Sequence, residues 1–204
     1  MLTIKKNKII IIWLFIQIYQ FNYLSKMKVF RDIFTGDEVL SDALNIKLEY
    51  DGAILTTVSK MINPDDVGNV DIGCGNEFGG EGGDVGGDPN VEKVNSIVSN
   101  FNLEEYFGSK KEIAATLKDK LSEMREKLKD NPDALKRWEA GGPIEKFVKD
   151  VFGKFDDCRF FMSKSYGDDD PKESMFVIAF WVDEEKDTGE TFHFFKDCLK
   201  EIKV

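Results

Sequence analysis

The chain has 204 residues, with 28 basic against 38 acidic side chains, 42% hydrophobic and 12% aromatic. That length accommodates one substantial core or two small ones, and the composition is too polar for a polytopic membrane protein. A net charge of −10 argues against a general nucleic-acid binder, which needs a basic face for phosphate contacts. One histidine and three scattered cysteines exclude a disulfide scaffold and most zinc sites.

Residues 1–26 form a leader unlike the rest, with four lysines, no acid and an apolar run from Ile9 to Ile16. Lys5, Lys6 and Lys8 before that run imitate a secretory n-region and h-region. The run is too short to span a bilayer, no small-x-small cleavage site follows, and no stable membrane association is expected. Seventeen of the 26 residues are Ile, Lys, Asn, Tyr or Phe, whose codons are AT-rich. The leader is therefore read as translated upstream sequence with Met27 as the true start; the alternative is a weak signal-like segment. Residues 27–204 carry 24 basic and 38 acidic groups, a net charge of −14.

Met27 to Ile33 opens with strand-like alternation, and Ile46 to Met61 reads as a hairpin turning at Asp51-Gly52. From residue 63 to 90 the pattern collapses; eight of the 15 residues from Gly73 to Gly87 are glycine. Such a stretch cannot bury enough apolar surface to offset its ordering entropy, so a long mobile glycine- and acid-rich loop is expected. Val91 to Val98 is a candidate strand. A helical hairpin over 109–153 follows. Ser109 and Glu112 form a capping-box pattern before Ile113, Leu117, Leu121, Met124 and Leu128, which repeat at three and four. Asn131-Pro132 supplies a second N-cap and N1 pair, and Gly141-Gly142-Pro143 should kink or break the helix it starts. Strands return at Arg159–Met162, Met175–Val182 and Thr191–Phe195. Strands at both ends with helices between imply one α+β domain over 27–204, whose sheet brings the two ends together.

Residues 109–154 hold 12 basic and nine acidic groups, whereas the other 132 residues after the leader hold 12 and 29. An acidic sheet module thus carries a mildly basic helical arm, either a solvated helix surface with i to i+4 pairs or a docking arm for an acidic partner.

Most catalytic chemistry is missing. The glycine loop has no lysine or arginine between Lys60 and Lys93, so it is no phosphate cradle. His193 stands alone within an alternating strand and specifies no triad. Cys74, Cys158 and Cys198 show no CxxC spacing and read as reduced thiols of a cytoplasmic chain, with Cys74 the one expected to be exposed. Acidic clusters at Asp65-Asp66, Glu77 to Asp88 and Asp168-Asp169-Asp170 offer weak calcium ligation without EF-hand spacing. No cofactor is required.

The ordered set of motifs resembles the translationally controlled tumour protein (TCTP) family. It comprises MKVFRDIFTGDEVLSDA from Met27 to Ala43, Asp51-Gly52, Ser59-Lys60-Met61, and Ile72-Gly73-Cys74-Gly75-Asn76. Phe155, Phe160-Phe161-Met162 and the end Phe194 to Leu199 complete it. The resemblance implies a β-tent, Mss4-like sheet module with a projecting α-helical hairpin and a mobile loop. It implies a monomeric, non-enzymatic protein of translation and growth control that contacts small GTPases of the Rheb and Rab kind and elongation factor 1. Glu38, with Asp37 beside it, matches the position implicated in that contact. Tubulin binding and calcium binding are implied as well. Lys110, Lys111, Lys118, Lys120, Arg125, Lys127 and Lys129 would meet acidic tubulin tails, and Asp65, Asp66, Asp168, Asp169 and Asp170 would hold calcium weakly. A Bcl-2-type helix partnership is also implied, although Ile113, Leu117 and Leu121 are equally explained as core. The sequence departs from the family in an extra residue at Cys74 and in Ser163-Lys164, which replaces Gly-Glu and reverses a charge near the GTPase-contact surface. The second helix of the hairpin is also slightly longer around Gly141-Gly142-Pro143.

Overall fold

The computed structural model describes residues 27–63, 92–163, 174–181 and 189–203. The leader, almost all of the glycine-rich loop, Cys74 and the five candidate calcium aspartates lie outside them.

The central layer is an antiparallel sheet of six strands. Its spatial order is β3 (Lys47–Glu49), β4 (Ile54–Val58), β10 (Thr191–Phe195), β9 (Val177–Phe180), β8 (Arg159–Met162) and β7 (Glu104–Glu105). The expected hairpin is present, with Lys47 opposite Thr56 and Glu49 opposite Ile54. Its turn carries Tyr50, Asp51 and Gly52 at φ of 49°, 52° and 77°. Those left-handed values match a right-twisted hairpin and are tolerated best by Gly and Asp. Tyr50 adopts one too, its ring edge-on to Phe147 and its hydroxyl donating to Asp150 at 2.9 Å.

A second sheet has three strands in the order β11 (Leu199–Lys203), β1 (Lys28–Asp32) and β2 (Glu38–Ser41). β1 is its middle strand, and Lys28 lies opposite Lys203, so the two ends of the described chain meet as expected. A two-stranded ribbon, β5 (Met61–Ile62) with β6 (Val94–Asn95), flanks the stem of the glycine-rich loop.

Alternation along the central strands divides the interior in two. Ile54, Phe160, Ile178, Phe180 and Phe195 face the helices, while Leu55, Phe161, Val177, Ala179, Phe192 and Phe194 face the small sheet. β9 is buried on both faces, which is why Val-Ile-Ala-Phe reads as an unbroken apolar run.

Helices α2 (Lys110–Lys127), α3 (Pro132–Trp138) and α4 (Pro143–Gly153) cover one face, sending Ile113, Leu117, Met124, Trp138, Ile144, Phe147 and Val151 into the core. The capping box at Ser109 and Glu112 is formed, and Asn131 caps α3 by accepting from Ala134 N–H at 3.2 Å. The break at Gly141-Gly142-Pro143 is complete. A Cβ on Gly142 would stand 2.9 Å from the carbonyl oxygens of Arg137 and Glu139, so only glycine lets α4 start against the end of α3.

Two strand expectations change. Of the described residues 92–98, only Val94 and Asn95 form a strand, β6. The Asn95 carboxamide oxygen accepts from Ile97 and Val98 N–H at 3.0 and 3.4 Å and starts the short helix α1 (Ser96–Asn100). Met175 precedes β9 because its N–H goes to the Asp32 carboxylate at 3.2 Å rather than to a neighbouring strand.

Candidate partner-binding surface

Asp32 ends β1 with its side chain turned inward, 3% exposed. One carboxylate oxygen accepts from Phe34 N–H at 2.7 Å and Thr35 N–H at 3.0 Å, and the other from Met175 N–H. Burial pushes this carboxyl above its ordinary range, while the three N–H donors and nearby Lys120 pull the other way. The main chain closes the same corner, with Asp32 N–H donating to Asp37 O at 2.9 Å and Gly36 N–H to Asp32 O at 2.8 Å.

Asp37 follows on this corner. Its N–H donates to Thr35 Oγ1 at 3.2 Å, and its carboxylate accepts from Ser163 Oγ at 2.8 Å. Ser163 is buried at the end of β8, where its N–H donates to Ser174 Oγ at 2.7 Å. Asp37 is therefore bolted through Ser163 to the central sheet. Glu38 opens β2 opposite Arg31, and the guanidinium lies 2.9 Å from its Oε1. Both side chains are nearly half exposed, at 46% and 47%. An exposed pair of this kind contributes little stability, and the Glu38 carboxylate remains accessible beside Arg31.

The candidate basic residues are split rather than gathered. At about 100° per residue, Lys111, Lys118 and Arg125 lie along one flank of α2, and Lys120 and Lys127 along the other. Asp119 and Glu123 stand between the flanks on the outward face, an alternation that lowers the local positive potential. Several of the seven are engaged within the chain. Lys110 Nζ donates to Phe152 O at 2.8 Å, and Arg125 Nε to Trp138 O at 2.9 Å. Lys127 and Lys129 pair with Glu123 and Glu126 at 3.6 and 2.6 Å. Lys120 and Lys127 converge on the corner: their ammonium groups lie 4.5 and 5.3 Å from the ring centroid of Phe34. The sequence reading missed Phe34, because nothing local announces that a turn residue meets a helix some 90 positions later. The Arg31–Glu38 pair was legible in principle from hairpin register.

The solitary histidine is a packing residue. His193 is 1% exposed, stacked on Phe180 at 4.1 Å and on Phe147 at 5.6 Å, with Nδ1 3.1 Å from Ile178 O. Burial lowers its pKa to about 4, so it is neutral at physiological pH. Burial likewise raises the Cys158 thiol to about 11 and pushes the Cys198 thiol well up, the opposite of an activated nucleophile. Among the described residues no group of three or more His, Cys, Asp or Glu side chains is arranged to hold a metal ion. No helix among them is long and apolar enough to cross a membrane.

Fold and corner together define an α+β protein in which helices and a small sheet sandwich a central antiparallel sheet. Comparison with known proteins gives that architecture a family. Residues 27–200 match the family model of the translationally controlled tumour protein. The translationally-controlled tumor protein homolog of Candida albicans is 33% identical over 179 residues, covering 87% of this chain and 100% of that protein. The Saccharomyces cerevisiae homolog is 34% identical over 144 residues, covering 70% and 83%. Among solved structures, the translationally controlled tumor-associated protein p23fyp of Schizosaccharomyces pombe superposes with a TM-score of 0.64 at 26% identity, covering 87% of this chain and 99% of that one. The Caenorhabditis elegans protein superposes with a TM-score of 0.55 at 21% identity, a likeness of fold. The chain belongs to the translationally controlled tumour protein family.

Proposed function

We propose that this chain is a non-enzymatic binding protein that contacts GTP-binding proteins, small GTPases and elongation factor 1 among them, in translation and growth control. Glu38 and Asp37 carry the contact. The observation behind this reading is the accessible Glu38 carboxylate, 2.9 Å from Arg31, on a corner that hydrogen bonds of Asp32 and Ser163 tie to the rest of the fold. An accessible carboxylate on such a corner can pair with the lysines that a nucleotide-emptied GTPase leaves uncompensated. The same reading makes the protein a cytoplasmic monomer without a required cofactor.

A second reading, a tubulin-stabilising and weakly calcium-binding protein, draws support from the stripe of Lys111, Lys118 and Arg125 along one flank of α2. Acidic tubulin tails would find three cations there at i, i+7 and i+14. Calcium, in this reading, would use Asp65, Asp66 and Asp168 to Asp170.

Affinity capture from cell lysate at two salt concentrations separates the two. Baits are the full chain as wild type and as Glu38→Lys. The first reading expects a GTPase or elongation factor that survives salt and disappears with Glu38→Lys. Tubulin recovered irrespective of Glu38 and lost in salt would move the function to α2, since screened attraction between exposed charges fades with ionic strength.

A further inference from the structure

Tyr50 stands at the tip of the β3–β4 hairpin on a backbone that its side chain disfavours. Its φ of 49° lies in the left-handed region, which a bulky residue occupies only when its surroundings hold it there. Two contacts to α4 do so. The ring meets Phe147 edge-on with centroids 5.2 Å apart, and the hydroxyl donates to Asp150 Oδ2 at 2.9 Å. They clasp the hairpin to the helix layer across 100 positions of sequence. β3 adds little to that hold. It is an edge strand whose three residues are all exposed, and its ladder to β4 has three positions.

We propose that Tyr50 is a tyrosine phosphorylation site, and that its phosphorylation releases the β3–β4 hairpin from α4. The phenolic oxygen attacks the γ-phosphorus of kinase-bound ATP, the bond to the bridging oxygen breaks, and ADP leaves. The hydroxyl proton passes to the kinase's catalytic base. Glu49 and Asp51 flank Tyr50, both exposed, and suit a kinase whose substrate groove is basic. Such an enzyme needs the segment opened out, and an exposed edge with few buried contacts opens most readily. Tyr106 also follows two acids, Glu104 and Glu105, but it is fastened to the central sheet. Its N–H donates to Phe160 O at 2.7 Å, and its ring lies edge-on to Phe176 at 5.3 Å.

Esterification undoes the clasp in one step. The oxygen that donated to Asp150 loses its only hydrogen, so two acceptors are left facing each other. The phosphate adds about two negative charges. The charges that act most on the hydroxyl, those of Asp150 and Glu49, are already negative. Burial, together with these two carboxylates, pushes the Tyr50 phenol up to about 12. Lys149, next to Asp150 in sequence, is paired with Glu145 at 2.5 Å. As the phosphate is repelled the ring leaves with it, Phe147 loses its edge-on neighbour, and nothing holds Tyr50 at a positive φ. The hairpin is thus clasped with a free hydroxyl and open with an esterified one. Nothing in this switch depends on the partner that Glu38 meets.

The test treats the full chain with ATP and a purified Src-class tyrosine kinase domain, as wild type, Tyr50→Phe, Tyr106→Phe and Asp150→Asn. Phosphopeptide mapping locates the phosphate, and thermal unfolding checks that each variant is folded. Amide hydrogen exchange follows Gly52 and Ala53, whose N–H groups close the turn onto Glu49 O and Tyr50 O. Phosphate should appear at Tyr50, survive Tyr106→Phe and vanish with Tyr50→Phe. Exchange at Gly52 and Ala53 should then quicken about tenfold, with Ile178 and Phe192 unchanged. Asp150→Asn, which keeps an acceptor but not the charge, should show a smaller increase. A synthetic peptide of residues 44–56 serves as a control substrate. If the peptide is modified and folded Tyr50 is not, the hairpin stays closed to the enzyme and the site is wrong. If neither is modified, the acidic flanks are not recognised and the site is wrong again. Phosphate at Tyr50 with unchanged exchange would overturn the release, and an increase undiminished by Asp150→Asn would overturn repulsion from Asp150 as its cause.

Discussion

The indole N–H of Trp138 donates to the carboxylate of Asp197 at 2.8 Å, joining the end of α3 to the short turn that precedes β11. Arg137 grips the same carboxylate with two guanidinium nitrogens, its Nε at 2.9 Å. Trp138 is 1% exposed, so its N–H has no solvent to fall back on. Asp197→Ala leaves a buried donor and a half-shielded cation without an acceptor, and should cost about 3 kcal/mol. Asp197→Asn, which retains one acceptor oxygen for the indole, should cost about 1 kcal/mol. Urea midpoints at constant slope give both numbers. Equal losses would show that the carboxylate's charge matters more than the Trp138 hydrogen bond.

Stability should fall in mild acid because of His193. Its folded-state pKa, about 4, lies below the ordinary 6.5. The unfolded chain therefore takes up the proton first, and the contribution present above pH 6.5 is lost as pH falls towards 4. The difference corresponds to about 3 kcal/mol. Urea unfolding of wild type and His193→Phe at pH 7 and pH 4 isolates the effect, since the carboxylates titrate alike in both proteins. Parallel losses in the two would mean that His193 does not drive the acid sensitivity.

The corner should loosen when Asp32 is replaced. Asp32→Ala removes the acceptor for Phe34, Thr35 and Met175 N–H, at about 2–3 kcal/mol in total. Amide hydrogen exchange at these three positions should accelerate far more than at Ile178 or Phe192 in the central sheet. Uniform acceleration would indicate global destabilisation rather than release of the corner.

Gly189 admits no side chain. A Cβ there would stand 2.2 Å from the carbonyl oxygen of Ser59. Relieving that clash parts Ser59 N–H from Glu190 O, now at 2.9 Å, and disturbs Glu190, which Arg159 Nη1 holds at 2.9 Å. Gly189→Ala should cost about 2 kcal/mol, read as a lowered Tm. An unchanged Tm would mean that the approach to β4 is softer than its geometry implies.

The helical segment was the most legible part of the chain, because its signals are local. Ser109 with Glu112, Asn131 with Pro132, and the spacing from Ile113 to Leu128 each specify a helix end or face within a few residues. The same logic explains the error at Val91–Val98. Its apolar residues fit a strand, but Asn95 offers a side-chain oxygen to the amides two and three positions on, and that cap wins over the β-propensity of Val and Ile. Contacts made across the fold were not legible. Ser163 was recognised only as a departure from the family pattern, and its bond to Asp37 spans 126 positions. The seven basic residues looked like one arm in sequence; helical geometry divides them, and folding brings two to Phe34.

β1 owes its place to partners at opposite ends of the described chain, β2 a few residues away and β11 about 170 positions later. During synthesis the ribosome delivers the segment bearing Asp37 and Glu38 long before it delivers residues 199–203. Until then β1 has an open edge, and a nascent chain displays its carboxylates on an unfinished scaffold. Completion of the small sheet waits for β11, so the corner bearing Asp37 and Glu38 gains its full scaffold only once residues 199–203 have emerged.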